Sequence, residues 1–173
     1  MSDTSWTLKD TAVGQLGVNF NTMYSSADQL PHAQGTVVDT QNGKVILVQA
    51  QSAIPQYALC VYGPSSAGAA QSVDAYPASL TNVSSRLFAV AQTSIAKSAY
   101  GWLHIDCHTG GRVNSAAAEM GVIPYLTATG GQIDDAATSG KALANLWIQE
   151  SATSASAPRA IWRGITLDRD QLA

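Results

Sequence analysis

Residues 35–51 read Gly35-Thr36-Val37-Val38-Asp39-Thr40-Gln41-Asn42-Gly43-Lys44-Val45-Ile46-Leu47-Val48-Gln49-Ala50-Gln51. Branched side chains dominate both flanks, and these suit a pleated, half-buried surface better than a helix. Between them lies an Asn-Gly pair, which tolerates the positive φ of a two-residue hairpin turn. The stretch predicts a strand over Gly35–Thr40, a turn at Gln41-Asn42-Gly43-Lys44, and a returning strand over Val45–Gln51.

C-terminal to this hairpin, short apolar runs recur at regular spacing. Strands are expected at Tyr57–Tyr62, Arg86–Ser94, Tyr100–Cys107, Gly121–Thr127, Leu143–Glu150 and Ala160–Leu167. Turn-rich runs separate them, among them Gly63-Pro64-Ser65-Ser66, Thr109-Gly110-Gly111 and Thr129-Gly130-Gly131. Many short strands punctuated in this way indicate an all-β fold, a compact barrel or sandwich of short antiparallel strands. Residues 69–85 read as one helical turn or a loop limited by Pro77, and Ser151–Pro158 as a mobile surface loop. Lys141–Leu146 also has helix propensity, but the surrounding β-rich context favours a strand there.

N-terminal to the hairpin, residues 1–34 read as an extended arm. Its apolar residues are Trp6, Leu8, Val13, Leu16, Val18, Phe20, Met23 and Tyr24, and they follow no long period of 3.6 or 2. Gly14 and Gly17 argue against a helix. Such an arm cannot stay exposed; it lies over its own domain or another subunit, and these residues are expected to tie the protein to a shell or to a sister subunit. No linker divides the remainder, so residues 35–173 are expected to form one β domain.

Composition narrows the function. Of 173 residues, 28 are Ala, 18 Ser and 14 Thr, while only 12% are charged and the net charge is −3. Nine scattered Lys and Arg residues do not supply the clustered cations that displace counterions from phosphates, which argues against nucleic-acid binding. No apolar run approaches the length of a membrane span. The first residues, MSDTSWTLKD, lack the basic and apolar regions of a secretory signal, which predicts synthesis in the cytosol and reduced Cys60 and Cys107. A surface this poor in charge lacks the repulsion that keeps monomers apart, and it suits packing against neighbours.

The chemistry-bearing residues are few. On a strand, His104, Asp106 and His108 share a face, and two imidazoles with a carboxylate form a candidate metal site. The simpler reading of His104–His108 is a strand with Ile105 and Cys107 facing inward. Cys107 and His108, being adjacent on a strand, point apart, so a cysteine nucleophile with His108 as base is not favoured. Asp134-Asp135 reads as a solvated turn rather than a calcium loop. Trp102, Trp147 and Trp162 are expected in the core rather than as a glycan platform. No metal, cofactor or catalytic residue is expected.

Two stretches carry a family resemblance. Phe88–Ala96 with Ala99–Ile105, and Gly121-Val122-Ile123-Pro124-Tyr125-Leu126-Thr127-Ala128-Thr129-Gly130-Gly131-Gln132-Ile133-Asp134-Asp135, resemble small virion proteins of tailed bacteriophages. The second block is similar to a hairpin of capsid decoration, or cement, proteins, and the resemblance spans residues 86–167. It implies a compact, non-catalytic β domain on the outer surface of a capsid. It also implies the major capsid protein as partner and self-association, often as a homotrimer. The alternatives are another phage structural module, such as a head fibre base or tail-associated part, and a glycan- or ligand-binding β domain.

Overall fold

The computed structural model describes residues 20–65, 73–81, 87–136 and 141–167. Within them run ten strands: β1 (Val37–Thr40), β2 (Gly43–Ala50), β3 (Leu59–Pro64), β4 (Val73–Pro77), β5 (Leu87–Ala91), β6 (Tyr100–Arg112), β7 (Tyr125–Leu126), β8 (Ile133–Asp134), β9 (Leu143–Ile148) and β10 (Arg159–Leu167). Among the described residues helical structure amounts to a 3-10 turn at Ala27–Gln29. The main sheet has the order β1-β2-β4-β3-β5-β6-β10-β9, and β2 pairs with β6 as well. That second pairing closes β2, β4, β3, β5 and β6 into a five-stranded ring, so the all-β fold is a barrel rather than a sandwich. Its pairings are antiparallel except β2 with β4, which is parallel through Gln49–Asp74 and Ala50–Ala75.

Side-chain alternation sorts the ring residues into an inside and an outside. Ile46, Val48, Cys60, Ala75, Ala89, Ala91 and Leu103 belong to one buried cluster, which fills the interior. Barrel width grows with strand number, so a five-stranded ring leaves little room. Alanine at its interior positions follows from that narrowness and accounts for part of the chain's alanine excess.

The outer face of the ring is covered too, by two separate layers. Phe20 and Val38 pack on Val45, Leu47 and Trp102. Elsewhere β9, β10 and the 113–133 region pack on Leu59, Val61, Phe88 and Val90, with Trp162 and Ile165 central. Because both faces are buried, β2, β3 and β5 read as continuous apolar runs instead of alternating ones.

Several sequence expectations need correction. Thr40 pairs with Gly43, so the turn residues are Gln41 and Asn42. Neither has positive φ; Gly43 does, at +140°. The Asn42 N–H donates to Thr40 Oγ1 at 3.2 Å, and the Thr40 hydroxyl donates to the Gly43 carbonyl at 3.1 Å. Glycine is required at 43 because a Cβ there would collide with the Asp106 backbone carbonyl on β6. Residues 73–77 form β4 rather than a helical turn or loop. The expected turn at Thr109-Gly110-Gly111 lies inside β6. Gly111 serves the core: a Cβ at that position would enter the Trp162 ring. The strand expected over Gly121–Thr127 shrinks to Tyr125–Leu126. Residues 151–158 are pinned to the 115–118 segment, with Ala118 and Ala152 exchanging backbone bonds of 2.9 and 2.6 Å and Ser115 bonded to Ser156 at 2.8 Å. Trp147 is half exposed, at 50%, unlike the buried Trp102 and Trp162.

Candidate binding surface

Among the described residues β9 is the last strand of its sheet, with β10 on one side only. On its other side the Leu143 N–H donates to the Pro124 carbonyl at 2.8 Å, and the Leu126 N–H donates to the Lys141 carbonyl at 3.0 Å. These bonds tie the start of β9 to the chain that leads into β7. The preceding loop is held at its other end by the Ala118–Ala152 bridge, and the Met120 N–H donates to Ser151 Oγ at 3.0 Å. Between the fixed ends Gly121 takes φ +84°, a conformation that side chains rarely adopt. The loop thereby stands off β9 and leaves a groove of about 340 Å³ lined by residues 121–124 and 143–148.

The groove is apolar and uncharged. Its lining residues are Gly, Val, Ile, Pro, Leu, Ala, Asn and Trp. Ile123 is 52% exposed and Val122 38%, opposite the exposed Trp147. Met120, beside them in sequence, is 62% exposed. Scattered apolar residues on a surface need no explanation, but several gathered along a groove and an open strand edge make this the candidate interaction surface.

The described part of the arm is seated on its own barrel. Phe20 meets Trp102 edge to face, with ring centroids 5.2 Å apart, and the His32 ring lies 6.4 Å from the same indole. Tyr24 and Tyr100 exchange backbone bonds of 2.9 and 2.8 Å. Phe20 and Tyr24 are thus used within the molecule, whereas Met23 is 46% exposed. Trp6, Leu8, Val13, Leu16 and Val18 lie outside the described residues.

His104, Asp106 and His108 take up three different environments. His104 is buried on the outer face of the ring, between cross-strand neighbours Val45 and Val90. Burial lowers its pKa to about 4, so it is neutral at ordinary pH, and its Nδ1 has no hydrogen-bond partner among the described residues. Asp106 Oδ1 accepts from the Gly164 N–H at 2.8 Å. His108 is exposed. Among the described residues no group of three or more His, Cys, Asp or Glu is placed to hold a metal ion. Ile105, partly buried, packs against the cluster that fills the barrel, whereas the buried Cys107 belongs to the cluster under β9 and β10. Cys60 and Cys107 are buried and form no disulfide. Burial pushes the Cys60 thiol far up, which suits an inert core residue. Burial, with the Asp106 carboxylate nearby, also raises the Tyr62 phenol.

Sequence reasoning did not find the groove, since it assigned 121–127 to a strand and Trp147 to the core. One signal was present: Leu143-Ala144-Asn145-Leu146-Trp147-Ile148 carries no charge and no proline, the usual protections of an edge strand.

No known protein family matches the chain, and no curated protein matches its sequence. Among solved structures it is similar to one described as the head fiber gp8.5 N base in bacteriophage phi29. The identity is 13% and the TM-score 0.49, over 72% of this chain and 98% of that one.

Proposed function

We propose that this protein is a non-catalytic structural component of a phage virion that binds the outer surface of the capsid and stabilises it, as decoration proteins do. The observation that carries the reading is the uncharged apolar groove along the open edge of β9, a surface suited to packing against a neighbouring subunit in an assembly. The phage assignment comes from the resemblance of residues 86–167 to virion proteins, and the partner it implies is the major capsid protein. Many copies on one shell turn a modest contact into firm attachment by avidity. The protein acts as an oligomer, with the homotrimer as the expected form. The base of a head fibre, the description carried by the similar solved structure, is the second reading.

Immunogold labelling of intact virions from the encoding phage tests this. Antibody raised against the purified protein is expected to decorate the head evenly. Label confined to fibres would move the protein to the second reading, and label on tails, or none on virions, would overturn both.

A further inference from the structure

We propose that the open edge of β9 and its groove take up the N-terminal residues 1–19 of a second copy of this chain as an added strand. The inference deepens the self-association within the proposed function and rests on that part of it.

Consider first what the edge offers. Register irregularity in the β9–β10 pair falls at Asn145, where φ is +63°, so the regular edge runs from Leu146 to the end of the strand. There the backbone has β10 on one side, and Trp147 and Ile123 flank the open side, half exposed. An extended segment laid in this groove would complete the backbone pairing and cover the apolar walls in one step, the general mode of β-strand addition.

The occupant has to be extended, apolar on alternate residues and nearly uncharged. Residues 1–19 meet these terms in sequence. Leu16-Gly17-Val18-Asn19 alternates, as does Trp6-Thr7-Leu8, and the segment's charges are Asp3, Lys9 and Asp10. Fully extended, 19 residues reach about 60 Å, enough to cross to a neighbouring molecule.

The starting point of that segment favours a neighbour. Phe20 is locked on Trp102, in the layer that covers β1, β2 and β6. Across the outer sheet the order is β1-β2-β6-β10-β9, which puts the arm seat and the β9 edge at opposite margins. Joining the arm of one copy to the β9 edge of the next is a head-to-tail contact between different surfaces. Contacts of that kind build closed rings, a trimer among them, where the rotation from copy to copy closes, and open filaments where it does not. The low surface charge leaves little repulsion against such close approach.

The test has two parts. Light scattering of the full chain is expected to give a multiple of 18.0 kDa. A variant lacking residues 1–19 should give a single copy that still melts in one cooperative transition, no longer dependent on protein concentration. In the second part, Val18→Cys and Trp147→Cys proteins are mixed and oxidised. A disulfide between the two variants, mapped by mass spectrometry to positions 18 and 147, is the expected product. A monomeric full chain, multimers that persist without residues 1–19, or a disulfide formed only within one chain of the double variant would each overturn the inference. The virion labelling stands apart from these readouts. A monomer that still labels heads removes the strand exchange alone, and an arm-dependent oligomer absent from virions removes the capsid reading alone.

Discussion

His104 shows how a single side chain can read differently in sequence and in space. In sequence it belongs to a polar-looking run with Asp106 and His108. In the barrel it faces Val45 and Val90, because the outer face of β6 is covered where the sequence suggests water. Its pKa of about 4 lies below the ordinary value of 6.5, so between those two pH values the unfolded chain holds a proton that the folded chain does not. Stability is therefore unaffected above pH 6.5 and falls as pH drops from 6.5 toward 4, by about 3 kcal/mol over the window. Urea midpoints measured at pH 7 and pH 5 should show the fall, and His104→Gln should flatten it. Equal slopes in both proteins would show that His104 is not the group responsible. Gly111 is the other residue whose role only packing reveals. Gly111→Ala forces a methyl into the Trp162 ring, and overpacking of this kind costs on the order of 1–3 kcal/mol. Thermal melts of that variant should drop by several degrees, and an unchanged melt would mean the core has slack there.

Among the strands, legibility followed local information. The β1–β2 hairpin could be read because branched residues and a glycine turn sit side by side in sequence. β9 and β10 were placed by their apolar runs. β4 could not be read, since Val73-Asp74-Ala75-Tyr76-Pro77 is weakly apolar and closes with proline. Its inward Ala75 suits a narrow interior, and its parallel partner β2 lies far back in the chain, so nothing local announces it. The candidate binding groove was equally silent. It arises where a loop held by Ala152 and Leu143 stands off an edge strand, and both tethers are tertiary. The arm was read as an apolar segment that contacts the shell or a sister subunit; its described residues Phe20 and Tyr24 pack on the barrel of the same chain.

For the molecule as a whole, β6 is the member shared by every layer. Its first half closes the barrel against β2 and β5, and its second half carries β10. Trp162 Nε1 donates to the His104 carbonyl at 3.1 Å, fastening the outer layer to the ring. The barrel and the β9–β10 layer should therefore unfold together. Denaturant curves followed by tryptophan emission and by far-UV circular dichroism are expected to coincide. Two separated transitions would show the outer layer to be an independent unit.

The closed ring also bears on how the chain finds its shape. Val45–Gln49 of β2 pairs with Tyr100–His104 of β6, and β3, β4 and β5 all lie between them in the chain. The entropy lost in bringing such distant segments together is paid before their contacts form, so the seam is the slow event, on the order of milliseconds to seconds. Until it shuts, two apolar strands present bare edges to every other nascent copy, a hazard of premature association. Stopped-flow refolding at increasing protein concentration reads this directly, as a falling yield with an unchanged closing rate.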